Sequence, residues 1–165
     1  MSGYVVNDMS ILIGGNAGQG VESSGAGFCK AFARSGLQVF GMQDYRSRIR
    51  GGNNFYQIRL SERPLYSHSD SVHVLLALTA DAVRHHLDQI PPGGIVIFPE
   101  SVQVDAEELR KRGILAGAMP LVRIAEEHGG RVMANTAALG AASSSPDTAA
   151  AARRNTISPG VRKSV

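Results

Sequence analysis

The segment Gly14-Gly-Asn-Ala-Gly-Gln-Gly20 follows the apolar run Met9-Ser-Ile-Leu-Ile13 and precedes a stretch of helical composition. Few features constrain a fold more. Glycines packed this densely mark a place where the backbone takes positive φ or passes close to another group. A short apolar run ending in them has the form of a buried parallel strand turning directly into a helix. The opening unit, from Ile11 to Phe28, is therefore expected to be strand, tight turn and helix.

Such a turn has a chemical use. Its backbone N–H groups converge on one point, and the following helix adds partial positive charge there, which suits a phosphate. Written Gly15-x-Ala17-x-x-Gly20, the segment is a dinucleotide-type fingerprint with alanine at the second glycine, the position where backbone meets pyrophosphate. It is not a Walker A loop, because no Lys-Ser/Thr follows the last glycine. A tight connection that binds nothing remains the alternative reading of the same residues.

Along the rest of the chain, apolar runs alternate with helical stretches. Val21 to Ser35 reads as the first helix, and its small residues Ser23 to Gly27 would let it lie close to a sheet. Strands are expected at Leu37–Met42, Phe55–Leu60, Val72–Leu78 and Ile95–Phe98, with a polar loop from Asp44 to Asn53 and a helix from Ala80 to Leu87. Pro91-Pro-Gly-Gly94 is a turn. Asp105–Arg112 is expected to be helical, Ile114–Ala118 a short strand, and Leu121–His128 and Arg131–Ala142 helices. This alternation points to an α/β class: a single domain with a doubly wound, mostly parallel sheet in a Rossmann-like three-layer arrangement.

Composition narrows the possibilities. Hydrophobic residues make up 43% of the 165 and aromatics only 5%, so the core must be built from Ile, Val, Leu and Ala. The formal charge of +3 lies wholly beyond Ser143, in Arg153, Arg154, Arg162 and Lys163 against Asp147. A neutral body does not announce nucleic-acid binding. Residues 1–142 are expected to form the domain. Residues 143–165 lack the large apolar groups that offset ordering entropy and are expected to be a disordered basic tail. No apolar run approaches the ~20 residues of a membrane span, and the start has no signal-peptide pattern. A cytoplasmic protein without membrane contact is expected.

A second basic feature, Asp44-Tyr-Arg-Ser-Arg-Ile-Arg-Gly-Gly-Asn-Asn54, follows the second strand. In a parallel sheet the loops after strands one and two emerge at one edge, where ligands of this architecture bind. Arg46, Arg48 and Arg50 would then lie near the glycine turn and suit a diphosphate. Asp44 permits a different reading, as a carboxylate on a ribose hydroxyl. The arginines also fit a solvated or partner-binding face. Cys29, the one cysteine, can neither pair internally nor hold an iron–sulfur cluster, which takes about four thiolates, and reads as structural. His85-x-x-Asp88 lacks a third ligand, and no nucleophile–base pair or complete catalytic apparatus is visible.

These segments together resemble the gamma subunit or domain of the 2-oxoacid:ferredoxin oxidoreductases, most of all the form fused to the front of the alpha subunit. The resemblance rests on Gly15-Asn-Ala-Gly-Gln-Gly-Val21, on Asp44 through Leu60, on Ser69-Asp70 before an apolar strand, on Gly93-Gly-Ile-Val-Ile97 and on Asn135-Thr-Ala-Ala-Leu-Gly-Ala141. It implies an oxidoreductase acting on the oxo group of its donor, in which a 2-oxoacid is decarboxylated on thiamine diphosphate. Electrons leave through iron–sulfur clusters to ferredoxin, and the acyl group passes to coenzyme A. Thiamine diphosphate and clusters would sit on partner subunits or domains, and this chain would be inactive alone. Carried over by position, coenzyme A contacts fall on Gly15, Gly18, Gln19, Gly20, Ser47, Arg48, Gly51 and Gly52. Two other readings stay open: an independent NAD- or nucleotide-binding domain using Asp44, and a truncated interaction fragment without a ligand.

Overall fold

The computed structural model describes residues 8–45 and 53–120, together with Arg123 and Glu127, which are helical and exposed. The remainder of the expected helix Leu121–His128, the expected helix Arg131–Ala142 and the tail from residue 143 lie outside the described residues.

Six strands form one sheet: β1 (Met9–Asn16), β2 (Gln38–Tyr45), β3 (Asn53–Ser61), β4 (Val74–Ala77), β5 (Ile95–Pro99) and β6 (Leu115–Met119). Helix α1 (Val21–Arg34) joins β1 to β2. Helix α2 (Ala80–His86), continued by a 3-10 turn at Leu87–Gln89, joins β4 to β5, and α3 (Ala106–Lys111) joins β5 to β6. The strand order is β2-β3-β1-β4-β5-β6. β1, β4, β5 and β6 run parallel, while β3 is antiparallel to both its neighbours, β1 and β2.

The α/β class and the mostly parallel sheet are as expected, but β3 changes the local pairing. It returns from β2 as a hairpin and inserts between β2 and β1, so β1 and β2 share a direction without touching. The apolar pattern of β3 could not reveal this, because period-2 burial is the same for either strand direction. The antiparallel ladder also extends β1 beyond its expected end at Ile13. Pairing runs unbroken from Met9↔Leu60 to Asn16↔Asn53, carrying Gly14 and Gly15 into the strand. Likewise Asp44 and Tyr45 belong to β2, and Asn53 to β3, so the expected loop is shorter at both ends.

Side chains alternate across the sheet into two cores. On one face Ile11, Ile13, Ile58 and Leu60 pack with Val21, Phe28 and Phe32 of α1. On the other, Leu12, Leu75, Val96 and Phe98 pack with Ala82 and Val83 of α2 and Leu109 of α3. Helices on both faces make the three layers. The alternation puts Gly14 under α2, where a β-carbon would come 2.9 Å from the Ala82 methyl. The polar far face of β1 and β3 near their other ends is covered by the chain from Glu62 to His73. Gln57 donates to the Ser69 carbonyl and Arg59 to the Ser67 carbonyl.

Candidate functional site

The end of β1 leads into a turn closed on itself. The Gln19 N–H donates to the Asn16 carbonyl at 3.1 Å, and the Asn16 N–H donates back to Gln19 Oε1 at 2.6 Å. Gly18 has φ 85° and Gly20 φ 73°, values that side chains with a β-carbon rarely adopt. Gly20 is the N-cap of α1 and offers no side chain to cap it. The start of an α-helix leaves N–H groups without intrahelical partners, so this helix start faces outward with its donors and dipole uncapped by a side chain.

Beside the turn is a cleft of about 440 Å3. Asn16, Gly18 and Gly20 form one wall, Val21, Glu22, Ser23 and Ala26 of α1 a second, and Gln43, Asp44, Asn54, Phe55 and Tyr56 of β2 and β3 the third. The register explains the assembly. Gly15 pairs with Asn54 and Asn16 with Asn53, while Tyr45 pairs with Asn54 on the other side. The ends of β1 and β2 and the start of β3 thus meet at one edge.

Tyr56 is closely held in the cleft wall, against Gly25 of α1 and Gly41 of β2. A β-carbon at Gly25 would lie 2.3 to 2.7 Å from its ring, and one at Gly41 2.8 Å from its hydroxyl. Two glycines, one in α1 and one in β2, therefore leave the space this ring fills. The Cys29 thiol donates to the Tyr56 hydroxyl at 3.8 Å. Burial, first of all, pushes the Cys29 thiol up, which keeps it protonated and agrees with a structural role. Tyr56 is also pushed up, by burial, by the bond with Cys29 and by the Glu22 charge.

Of the residues expected to contact a ligand, Gly18 and Gly20 line the cleft. Gly15 lies one step inside, buried in β1, where a β-carbon would meet Gln19 Oε1 at 2.7 Å. Gln19 spends its amide oxygen on the turn itself. Ser47, Arg48, Gly51 and Gly52 lie outside the described residues, as do Arg46 and Arg50. Asp44 does line the cleft, but β3 separates its strand from β1. It therefore stands about 9.5 Å, or two strand spacings, from the strand that carries the turn. In a dinucleotide fold whose second strand adjoins the first, that carboxylate would be one spacing away.

Sequence reasoning missed Asn16, Gln43, Asn54 and Tyr56. Gly41 was the available signal, since a lone glycine inside a strand often marks a close approach. Asn53, directly opposite Asn16, is 7% exposed, and neither its amide nitrogen nor its amide oxygen has a partner among the described residues.

The backbone suits an anion, whereas the described side chains of the cleft do not neutralise one. Glu22 and Asp44 are carboxylates, and no cationic side chain lines the cleft among the described residues. Among those residues no group of three or more His, Cys, Asp or Glu could hold a metal ion, and no helix is long and apolar enough to cross a membrane.

Comparison with known proteins adds independent findings. The profile of the family described as pyruvate ferredoxin/flavodoxin oxidoreductase matches residues 10–164. The alpha subunit of 2-oxoacid:ferredoxin oxidoreductase 2 from Aeropyrum pernix is 32% identical, over 76% of this chain and 22% of its own length. The 2-oxoglutarate synthase subunit KorC from Methanothermobacter thermautotrophicus is 31% identical, over 79% of this chain and 72% of its own. The chain thus spans only about a fifth of the alpha subunit but most of the separate subunit. Among solved structures, the 2-oxoglutarate:ferredoxin oxidoreductase from Magnetococcus marinus, with 2-oxoglutarate, coenzyme A and succinyl-CoA bound, superposes with a TM-score of 0.74. It is 29% identical over 90% of this chain and 26% of its own. The gamma subunit of a keto/oxoacid ferredoxin oxidoreductase from Geobacter sulfurreducens, 20% identical, shares the fold over 90% of this chain and 93% of its own (TM-score 0.63).

Proposed function

The chain belongs to the pyruvate ferredoxin/flavodoxin oxidoreductase family, and on that premise we propose that it serves as the gamma-type subunit of a 2-oxoacid:ferredoxin oxidoreductase, binding coenzyme A at the glycine-turn cleft. The observation that carries this reading is the meeting of an uncapped helix start with the Asn16–Gly20 turn in one cleft. A relative 29% identical to this chain holds coenzyme A in its structure.

In this reading Gly18 and Gly20 leave room for the ligand, and the N-terminus of α1 meets its negative charge. Because Glu22 and Asp44 oppose an anion, neutralisation falls to Arg46, Arg48 and Arg50, with Ser47, Gly51 and Gly52 shaping their loop. Gly15 and Gln19 support the turn from behind. The decarboxylation chemistry comes from thiamine diphosphate, and electron transfer to ferredoxin from iron–sulfur clusters. The clusters are assigned to partner subunits, since one cysteine cannot supply the roughly four thiolates of a cluster, and thiamine diphosphate is assigned there with them. The assembled enzyme is assigned to the cytoplasm.

The test uses the chain co-expressed with thiamine- and cluster-bearing subunits. Arg48→Glu removes a charge-assisted contact of ~1.5–3 kcal/mol and is expected to raise the KM for coenzyme A about tenfold or more, with little change in that for the 2-oxoacid. An unchanged KM for coenzyme A rejects the phosphate role of Arg48. Failure of the chain to associate with any such subunit rejects the whole reading. NAD binding abolished by Asp44→Ala, with no response to coenzyme A, would establish the dinucleotide alternative instead.

A further inference from the structure

β2 is the outermost strand on its side of the sheet, and among the described residues nothing pairs with its outer edge. Unpaired edges are usually blunted by lysine, proline, a bulge or very short length. Of these devices, and of charged side chains in general, this one has only the carboxylate of Asp44 near its end. Gln38 to Tyr45 is eight residues without Lys, Arg or Pro, and its pairing with β3 runs through eight consecutive steps without a bulge. Gln38, Gly41 and Asp44 are exposed along it.

We propose that this edge pairs with the same edge of a second copy of the chain, antiparallel about a two-fold axis through Gly41. A two-fold pairing must be self-complementary, and residues facing each other across antiparallel strands share a face of the sheet. Centred on Gly41, the pairing puts Phe40 against Met42 of the second copy, Val39 against Gln43, and Gln38 against Asp44, each pair occurring twice. Phe40 and Met42 are half-buried on one sheet face and cover each other. Gln38 donates to the Asp44 carboxylate. Centring one residue pair further along, on Met42, would instead set Phe40 against Asp44.

The helix above the edge permits this. α1 packs over β2 and β3, so the two copies of α1 would lie about 10 Å apart, two strand spacings and within the range of packed helices. Gly27 and Ala31, four apart on α1, are both exposed, and a β-carbon at Gly27 would meet nothing within 4 Å. Because Asp44 lines the cleft, Gln38 of the second copy comes to its rim. The proposal stands on the edge geometry and is independent of what the cleft binds.

Sedimentation equilibrium of the full chain across a concentration series is the test, with circular dichroism to confirm the fold of each variant. A monomer–dimer equilibrium is expected. Gln38→Glu places two like-charge pairs in the interface and weakens the dimer by about tenfold, while Gln38→Lys strengthens it by a similar factor. Adding Asp44→Lys to Gln38→Glu restores dimerisation. A chain that stays monomeric at every concentration overturns the proposal and leaves the edge to a different subunit. A dimer indifferent to the sign of the charge at residue 38 overturns it as well.

Discussion

Tyr56 and the glycines around it show how much a single atom decides in this protein. α1 rests on β3 with no room for a methyl at Gly25, and the ring of Tyr56 fills the space. Two α1 glycines therefore separate cleanly. Gly25→Ala gains about 1 kcal/mol of helix propensity but forces the ring aside, an overpacking cost of ~1–3 kcal/mol. The clash wins, and urea denaturation is expected to show net destabilisation. Gly27→Ala meets nothing and is expected to stabilise by about 0.5–1 kcal/mol. If both variants shift stability in the same direction, the packing of α1 on Tyr56 is not as described.

At the scale of elements, the helices differ in how they begin. Thr79 accepts a hydrogen bond from the Ala82 N–H at the start of α2, and Asp105 accepts one from the Glu108 N–H at 2.9 Å at the start of α3. α1 has no such cap, although it is the longest described helix, because its start is the wall of the cleft. α3 is short, with one buried residue, Leu109, so its cap carries much of its order. Arg112 ties its end to Glu108 and, through a 2.7 Å ion pair, to Asp88 beyond α2. Asp105→Ala is expected to cost ~1 kcal/mol, and hydrogen exchange should show faster amide exchange confined to α3 and the start of β6. Element type was legible for every described strand and α-helix, though not for the 3-10 turn at Leu87–Gln89, from apolar runs of strand length and from Gly and Pro at the turns. The direction of β3 was not. Its Phe-Tyr-Gln-Ile-Arg-Leu pattern fits a strand of either direction, and only its antiparallel pairing with β1 and β2 reveals which one it takes.

For the whole molecule, stability depends on how the first strand is tied to the fourth. The Ser10 N–H donates to His73 Nδ1 at 2.9 Å while the His73 N–H donates to the Ser10 carbonyl. The ring accepts through Nδ1, so it must be neutral there. Burial pulls the His73 pKa below its ordinary 6.5, although the Asp8 carboxylate opposes this. In the unfolded chain His73 takes a proton near its ordinary value, whereas in the fold it resists until lower pH. Below about 6.5 the unfolded state binds more protons, so stability rises with pH through that window and is lost as pH falls. Urea denaturation of wild type and His73→Gln between pH 7.5 and 5.5 should show a fall with acidification that the variant largely lacks. Parallel curves would mean that His73 does not contribute.

The amino-acid sequence by itself determined the α/β class, the two-sided core and the strand–turn–helix opening, because these follow from local periodicity and glycine placement. It also marked the Gly14–Gly20 turn as a place of positive φ, which Gly18 and Gly20 adopt, since that is a local demand. What only the tertiary structure decided are the relations between distant segments. The insertion of β3 puts Asp44 two strands from the turn, and the clearance at Gly25 and Gly41 seats Tyr56 in the cleft wall. The register of β1 on β3 brings Asn54 to the turn and leaves the Asn53 amide without a partner among the described residues. Such facts depend on which strands pair and in which direction. That is settled by the free energy of the whole sheet and leaves no periodic trace in any one segment.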